Sequence, residues 1–271
     1  MKIKYFFLIF VCSIFLSCNE KQTVSNNNII NSKGFSNNLI DINEKKFDFT
    51  SENVQNFLKK NAELVGYEGF YNYGDGVWLQ IHNISNYRVT DSEWLKRNIP
   101  KISKYITVIE LHNYENLLYL FPDSKRIDFY NHESSIKELD LTTVPSGCEN
   151  LICKDYKLLN LDAISKLQNL KAIDFSCTSQ EFRQVENENL KYIGIELNPE
   201  EDFDCEDVLK FPNLEELHIY GCSEIKNLRA LKYLNLKMLQ IFPEEKLNMY
   251  KVELDELQND LDQLFIYSIR E

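Results

Sequence analysis

A repeated pattern of apolar and polar positions runs through residues 169–242. Four segments share the order Asn-Leu, two variable residues, an aliphatic residue, one variable residue and a further apolar residue: NLKAIDF, NLKYIGI, NLEELHI and NLKMLQI. Their leucines are Leu170, Leu190, Leu214 and Leu236, which are separated by 20, 24 and 22 residues. A period of this length predicts a solenoid in which each repeat contributes one short strand and a return segment.

Two of the return segments carry an apolar residue at every third position. They are Leu158, Leu161, Ile164 and Leu167, and again Ile225, Leu228, Leu231 and Leu234. This spacing predicts tight turns of helix stacked along one side of the solenoid, with an ordinary amphipathic helix as the alternative. Together, the strand motif, the period and the return segments resemble the leucine-rich-repeat family. The resemblance implies an α/β solenoid with a parallel sheet on its concave face and short helices or turns on its convex face.

Weaker copies of the strand motif precede these four. Their central apolar positions are Ile109, Ile127, Leu139 and Leu151, separated by 18, 12 and 12 residues. We therefore predict that the repeats span residues 106–242. Twelve residues leave room for a strand and a tight turn, so we expect this first half to be irregular and compact.

The segments on either side of the repeats have the patterns of caps. Residues 47–105 form an α+β N-terminal cap, with a helix from Ser51 to Asn61, a hairpin of residues 69–73 and 77–81 around Gly74-Asp75-Gly76, and a second helix. The capping box Thr90–Glu93 begins that helix, and Pro100 is expected to end or kink it. In residues 243–271, leucines at 254, 257, 261 and 264 predict a C-terminal cap helix, with a partner-binding amphipathic helix as the alternative.

The chain begins with Lys2 and Lys4, followed by an apolar run that is too short to span a membrane. Residues 1–17 are therefore predicted to be a signal peptide.

The ending Phe-Leu-Ser-Cys resembles the lipobox of bacterial lipoproteins, although the commonest form has Leu in place of Phe15 and a small residue in place of Leu16. The resemblance implies lipidation of Cys18 and a bacterial leucine-rich-repeat lipoprotein of the cell envelope, at the outer membrane or cell surface. A plain cleaved signal and an uncleaved anchor are the alternatives. Residues 18–46 are polar and predict a flexible tether.

The chain is acidic, with 42 Asp and Glu residues against 30 Lys and Arg residues and a formal net charge of −12. This charge argues against binding to nucleic acid or to an anionic bilayer surface, so contact with a membrane is expected only through the lipid. It favours a basic partner. The cysteines show no C-x-x-C spacing, and we expect them to be buried apolar groups. One disulfide among Cys148, Cys153, Cys177, Cys205 and Cys222 remains open.

Strand alternation directs the variable residue between the two apolar ones to the concave face. This central column reads Glu110, Asp128, Asp140, Ile152, Asp174, Gly194, His218 and Gln240. Carboxylates on neighbouring strands repel one another, so we expect raised pKa values unless a basic group such as Arg126 lies between them. With Tyr130 and Tyr220 from the next column, we predict a binding site for a basic protein or peptide at Glu110, Asp128, Asp140, Asp174 and His218. The alternative is an ordinary solvated acidic surface.

Signatures of catalysis and of cofactors are missing from the sequence. It contains no G-x-S-x-G motif, no H-E-x-x-H motif and no calcium-binding loop. We therefore predict no catalytic residue, metal or cofactor. The leading hypothesis is a membrane-anchored, non-catalytic module that binds a protein or peptide, one version of which is an immunity or inhibitor protein against a basic toxin. The alternatives are an envelope glycoside hydrolase that uses Glu110, Asp128 and Asp140, and a structural envelope protein without a specific ligand.

Overall fold

The computed structural model describes residues 41–62, 65–68, 76–81, 92–131, 135–242, 248–261 and 264–267. The predicted signal peptide, Cys18 and the tether up to residue 40 lie outside the described residues, as do Thr90 and the predicted strand at residues 69–73. The end of the predicted tether, residues 41–46, is described, and there the prediction of a flexible segment is wrong, because Ile42 is buried in the core and its backbone N–H donates to Oδ1 of Asn98 at 2.8 Å. Among the residues described, no helix is both long enough and apolar enough to cross a membrane.

The elements follow one another in a strand-rich order with short helices. The strands are β1 (Val65–Glu68), β2 (Val77–Ile81), β3 (Ile106–His112), β4 (Arg126–Tyr130), β5 (Lys137–Asp140), β6 (Asn150–Cys153), β7 (Tyr156–Leu159), β8 (Ala172–Ser176), β9 (Tyr192–Leu197), β10 (Phe203–Asp204), β11 (Glu216–Gly221), β12 (Ile225–Lys226), β13 (Met238–Phe242) and β14 (Phe265–Tyr267). The α-helices are α1 (Ser51–Ala62), α2 (Ser92–Ile102), α3 (Ser179–Phe182) and α4 (Lys251–Asp260). The 3₁₀ helices are Ser103–Tyr105, Glu115–Leu120, Leu141–Thr143, Leu161–Lys166, Cys205–Val208 and Leu228–Tyr233.

One sheet of ten strands, in the order β1-β2-β3-β4-β6-β8-β9-β11-β13-β14, organises the described chain. The β1–β2 pair is antiparallel, and the other neighbours pair in parallel. This order follows the chain from one repeat to the next, as a solenoid requires. The leucine-rich-repeat solenoid predicted from the period is therefore confirmed.

The apolar residues of each repeat strand face the core. In β9 and β11 these residues are Ile193, Ile195, Leu217 and Ile219, and all four are fully buried. On the opposite side of that core, the 3₁₀ helices Leu161–Lys166 and Leu228–Tyr233 bury residues spaced by three, including Leu161, Ile164, Leu228 and Leu231. The tight helical turns predicted for the return segments are therefore confirmed.

The prediction that Leu139 begins a repeat strand of the main sheet is wrong. Strand β4 pairs directly with β6, whereas β5 pairs with β7 in a separate two-stranded sheet. The spacing explains this result, because 24 residues separate Ile127 from Leu151, which is one whole repeat. The segment around Leu139 is thus the return segment of that repeat.

Both caps differ from the prediction in detail. Strand β2 pairs with Val65–Glu68, so the antiparallel partner lies earlier in the chain than residues 69–73. Helix α2 contains Pro100 and continues to Ile102, where a 3₁₀ turn follows. Helix α4 ends at Asp260, and Phe265–Tyr267 then adds a parallel strand beside β13, so a cap helix extending over Leu261 and Leu264 is wrong. Both caps therefore extend the sheet as well as cover the ends of the core.

None of the five cysteines among the described residues forms a disulfide, and Cys177 is the one that is not fully buried. The expectation of buried apolar cysteines thus holds for Cys148, Cys153, Cys205 and Cys222.

Candidate functional site

The central column of the concave face lies in register across the main sheet. Paired positions run through Glu110, Asp128, Ile152, Asp174, Gly194, His218 and Gln240. Although these residues point away from the core, Asp128 and Gln240 are 0% exposed, Asp174 and His218 are 5% exposed and Glu110 is 7% exposed. The column is therefore no solvated acidic surface, because side chains from the columns on either side cover it.

Asp140 does not belong to this column, which corrects the sequence prediction. Its Oδ1 accepts hydrogen bonds from the backbone N–H of Thr142 (2.9 Å) and from Nδ2 of Asn160 (2.8 Å). These bonds lower the pKa of Asp140. Asp204 repeats the arrangement with Glu206 and Asn227. Asp140 thus caps a 3₁₀ helix of the return segment, at a position that the fold uses twice.

Asp128 is held by Arg126 from the neighbouring column of the same strand. Nε of Arg126 donates to Oδ1 at 2.9 Å, and Nη2 donates to Oδ2 at 2.8 Å. Burial raises the pKa of Asp128, while the Arg126 charge and hydrogen bonds oppose the rise and Glu110 adds a smaller increase. The sequence prediction expected a raised pKa only where no basic group lay beside the acids, but the pKa of Asp128 is raised although Arg126 is present. The main cause is desolvation and not repulsion between carboxylates.

Glu110 and Tyr130 join the same cluster through His112. Nε2 of His112 lies 3.4 Å from Oε2 of Glu110, and its ring stacks on Tyr130 with centroids 4.7 Å apart. Burial raises the pKa of the Tyr130 hydroxyl, and the charges of Asp128 and Glu110 reinforce that shift. The structure thus brings together three of the predicted residues, Glu110, Asp128 and Tyr130, in the first half of the face.

A second cluster surrounds Asp174. Nζ of Lys154 lies 3.2 Å from Oδ2 of Asp174 and 4.2 Å from the ring centroid of Tyr220. The Tyr192 hydroxyl lies 3.4 Å from the same carboxylate oxygen. Burial raises the pKa of Asp174, and the Lys154 charge opposes the rise. A β-carbon on Gly194 would lie 2.6 Å from Cγ of Asp174, so the glycine leaves the space that the carboxylate fills.

His218 lies between two tyrosines in this second cluster. Its Nδ1 is 3.2 Å from the hydroxyl oxygens of both Tyr192 and Tyr220. Burial lowers the pKa of His218 to about 4, and the Lys154 charge adds to that shift. The imidazole is therefore neutral at pH 7 and adds no positive charge to the face.

Sequence reasoning missed Tyr192 as a site residue. Tyr192 is the variable residue before the first apolar residue of its strand. The residues at this position on the other strands form a column beside the central one, which also holds Arg126, Asn150, Ala172, Glu216 and Met238. The repeat frame that located the central column would have located this one as well, because both recur with the same period.

The chemistry available here differs from the hydrolase hypothesis. Glycosidases use two accessible carboxyl groups on either side of the scissile bond. Asp128 is fully buried and accepts hydrogen bonds from Arg126, and Asp140 lies on another sheet. The fold therefore does not bring Glu110, Asp128 and Asp140 together in one accessible site. Within the described ranges, no three His, Cys, Asp or Glu side chains are grouped so as to hold a metal ion.

Comparisons with known proteins give matches among solved structures alone. No protein-family model and no curated protein matches the chain. Internalin C2 of Listeria monocytogenes is similar at 12% identity and TM-score 0.37 over 64% of this chain and 75% of that one. An InlF internalin of the same organism is similar at 13% identity and TM-score 0.38, over 72% of this chain and 74% of that one.

A plant peptide hormone receptor, RGFR1 in complex with RGF2, gives 13% identity and TM-score 0.28 over 60% of this chain and 32% of that one. The strand order and register of this chain establish its fold, and none of these TM-scores reaches 0.5.

Proposed function

We propose that this chain is a non-catalytic module that binds a protein or peptide on the concave face of its solenoid and is held at a membrane by a lipid on Cys18. The observation that carries the binding proposal is the row of large side chains on this face. Tyr130, Tyr192, Tyr220 and Phe242 project from the side of the sheet opposite the core, and each remains half-buried. Tyrosine is one of the residue types enriched among the side chains that contribute most of the binding energy of protein interfaces.

The charges of this face favour a basic partner. The three acids of the central column have partners within the chain, since Glu110 lies beside His112, Asp128 beside Arg126 and Asp174 beside Lys154. Two further acids, Glu196 and Glu216, lie at the edges of the column and are half-buried. Neither makes a salt bridge with any residue that the structure describes.

A basic protein would also be attracted by the net charge of −12 over the whole chain. An immunity or inhibitor protein that covers a basic toxin is one form of this proposal, and the same surface would serve it.

The anchoring part of the proposal rests on the lipobox-like ending at Cys18 and on the polar segment after it. A coil of about 22 residues, from residue 19 to residue 40, would have ends about 25 Å apart on average, so the binding face would lie clear of the bilayer. We propose the outer membrane or cell surface as its location.

Capture from envelope extract tests the binding proposal. The full chain is compared with a Tyr220→Ala/Phe242→Ala variant and with a matched Tyr119→Ala/Tyr233→Ala variant, whose tyrosines lie on 3₁₀ helices of the return segments at 62% and 74% exposure. We expect the wild type and the matched control to retain one protein that the concave-face variant loses. If all three baits retain the same proteins, the concave face is not the binding site.

Membrane fractionation tests the anchor. Cys18→Ser should move the protein to the soluble fraction and change its gel mobility, whereas Cys177→Ser should do neither. A membrane-bound Cys18→Ser protein would contradict lipidation at this residue.

A further inference from the structure

Lys154 reaches across the concave face above Asp174. It follows strand β6, yet its ammonium group contacts the ring of Tyr220 on β11, and strands β8 and β9 lie between them in the sheet. The two side chains meet above Asp174 and Gly194, which leaves the Asp174 side chain 8% exposed and the Lys154 side chain 26% exposed. An ammonium group thus already occupies a space bounded by a carboxylate and an aromatic face, two groups that each attract a cation.

The carboxylate beneath Lys154 has unused hydrogen-bonding capacity. Oδ2 of Asp174 has Lys154 and Tyr192 as neighbours, but Oδ1 has no hydrogen-bond partner in the described part of the chain and is inaccessible to solvent. Native proteins rarely leave a buried charged oxygen without a donor, because its lost hydration is not replaced. A guanidinium group carries five donors in a planar fork and can bond to both oxygens of one carboxylate, which a lysine ammonium seldom does.

The charges around Asp174 favour an added cation over an added anion. Asp174, Glu196 and Glu216 are acids on neighbouring strands. Lys154 pairs with Asp174, and Lys237, which pairs with Glu215, adds a weaker attraction to Glu216. His218 lies among them and is neutral at pH 7, since its pKa is about 4. An arginine or lysine from a partner would therefore enter a region with surplus negative charge.

We propose that Asp174 is the binding site for the side-chain cation of an arginine or lysine of the partner protein, and that Lys154 occupies this site in the free protein and is displaced on binding. The inference rests on the concave-face binding proposed above and names the chemistry that this face recognises. Glu196, Glu216 and the ring of Tyr220 provide the surroundings of the incoming cation. Lys154 acts as an internal competitor, so it lowers the affinity of the site for basic ligands. In the free protein it also provides the counter-charge for the buried Asp174 carboxylate.

An arginine hexapeptide, labelled for fluorescence anisotropy, is the probe for this site. Any acidic protein attracts such a peptide. Each variant is therefore compared with a control variant that changes the net charge by the same amount at a position away from the concave face. Asp174→Asn is paired with Asp162→Asn, and Lys154→Gln with Lys166→Gln. Asp162 and Lys166 form an exposed pair on a return-segment helix, with side chains 75% and 73% exposed.

We expect Asp174→Asn to weaken binding about tenfold more than Asp162→Asn does, the size of a buried charge contact. Lys154→Gln should strengthen binding several-fold more than Lys166→Gln, because the competitor is gone. A glutamate hexapeptide should bind none of these proteins. If Lys154→Gln instead weakens binding of the arginine peptide, or if the glutamate peptide binds through Lys154, the site takes anions and the proposal is wrong.

Lysine NMR gives a second readout that does not depend on affinity. In protein labelled with ¹³C-lysine, the Hε signal of Lys154 should lie upfield because of the Tyr220 ring, and Lys154→Gln assigns it. Adding the arginine peptide should move this signal toward that of an exposed lysine and leave Lys166 unchanged. If the Lys154 signal does not move at saturating peptide, the proposed displacement of Lys154 is wrong. This result does not depend on whether the variants fold well enough for the titrations.

The two proposals can fail separately. If the Tyr220→Ala/Phe242→Ala chain still captures every protein that the wild type does, the concave-face function fails. If a partner depends on the concave face but binds equally to Asp174→Asn and Asp162→Asn, only the cation site fails.

Discussion

Gly194 and Asp174 occupy adjacent strands so closely that the glycine has no room for a side chain. A β-carbon at position 194 would lie 2.6 Å from Cγ and 2.7 Å from Oδ1 of Asp174. The carboxylate therefore lies over the glycine backbone, which places it beneath Lys154 and within reach of the Tyr192 hydroxyl.

Gly194→Ala should destabilise the protein through this contact. We expect a loss of about 1–3 kcal/mol in the free energy of unfolding, the usual cost of adding a methyl group to a packed site. Urea unfolding measures it. The matched control is Gly147→Ala, where an added β-carbon meets no atom within 4 Å. Equal midpoints for the two variants would show that Asp174 has another position available at no cost.

Arg126 should be essential for stability because it neutralises Asp128. Arg126→Met leaves a fully buried carboxylate without its fork of donors, and losing one partner of a buried pair costs about 3–5 kcal/mol. Lys157→Met removes one partner of an exposed pair with Glu138, both 56% exposed, and should cost at most about 1 kcal/mol. Denaturant unfolding at pH 7 compares the two, and similar losses would mean that water reaches Asp128.

The stability of the protein should depend on pH through His218. Its pKa falls from 6.5 to about 4 on folding, so between these values the unfolded chain binds more protons than the folded one. The contribution of His218 to the free energy of unfolding is therefore fully present above pH 6.5. It is lost as the pH falls toward 4, by at most about 3 kcal/mol.

The test compares the free energies of unfolding of the wild type and His218→Gln from pH 8 to pH 4. The advantage of the wild type should shrink as the pH falls. Asp128 and Asp174 have raised pKa values and act in the opposite direction, but both proteins carry them and their effect cancels in the difference. A constant difference would place the pKa of His218 near its ordinary value.

The buried thiols should react slowly with alkylating reagents in the folded protein. Burial raises the pKa of Cys148 to about 12 and also raises those of Cys153, Cys177 and Cys205, so the thiolate fraction at pH 8 is very small for all four and exposure decides the order of labelling. Iodoacetamide labelling read by peptide mass spectrometry should modify Cys177 first, because it is half-buried, and the others only after urea unfolding. Fast labelling of Cys205 in native buffer would reveal local opening of its repeat.

The repeat frame allowed most of the fold to be read from the sequence. Strands β8, β9, β11 and β13 each begin two residues after the leucine of an Asn-Leu pair, since each repeat presents its apolar residues with the same spacing. The error at Leu139 was avoidable, because the 24 residues from Ile127 to Leu151 match the later repeats and the 12-residue spacing does not. The strand β14 carries no repeat motif and forms because β13 leaves an edge on which the segment after α4 can pair.

For the strands that belong to the main sheet, the sequence alone determined which residues face away from the core, because strand alternation and a constant period leave one choice of register. It could not determine that these acids are buried and paired. That outcome depends on side chains from distant repeats, such as Lys154 and Tyr220, which meet only because parallel stacking places their strands on one curved sheet. Burial and pKa follow from what covers a group, and the covering side chains are set by the tertiary structure, not by local sequence.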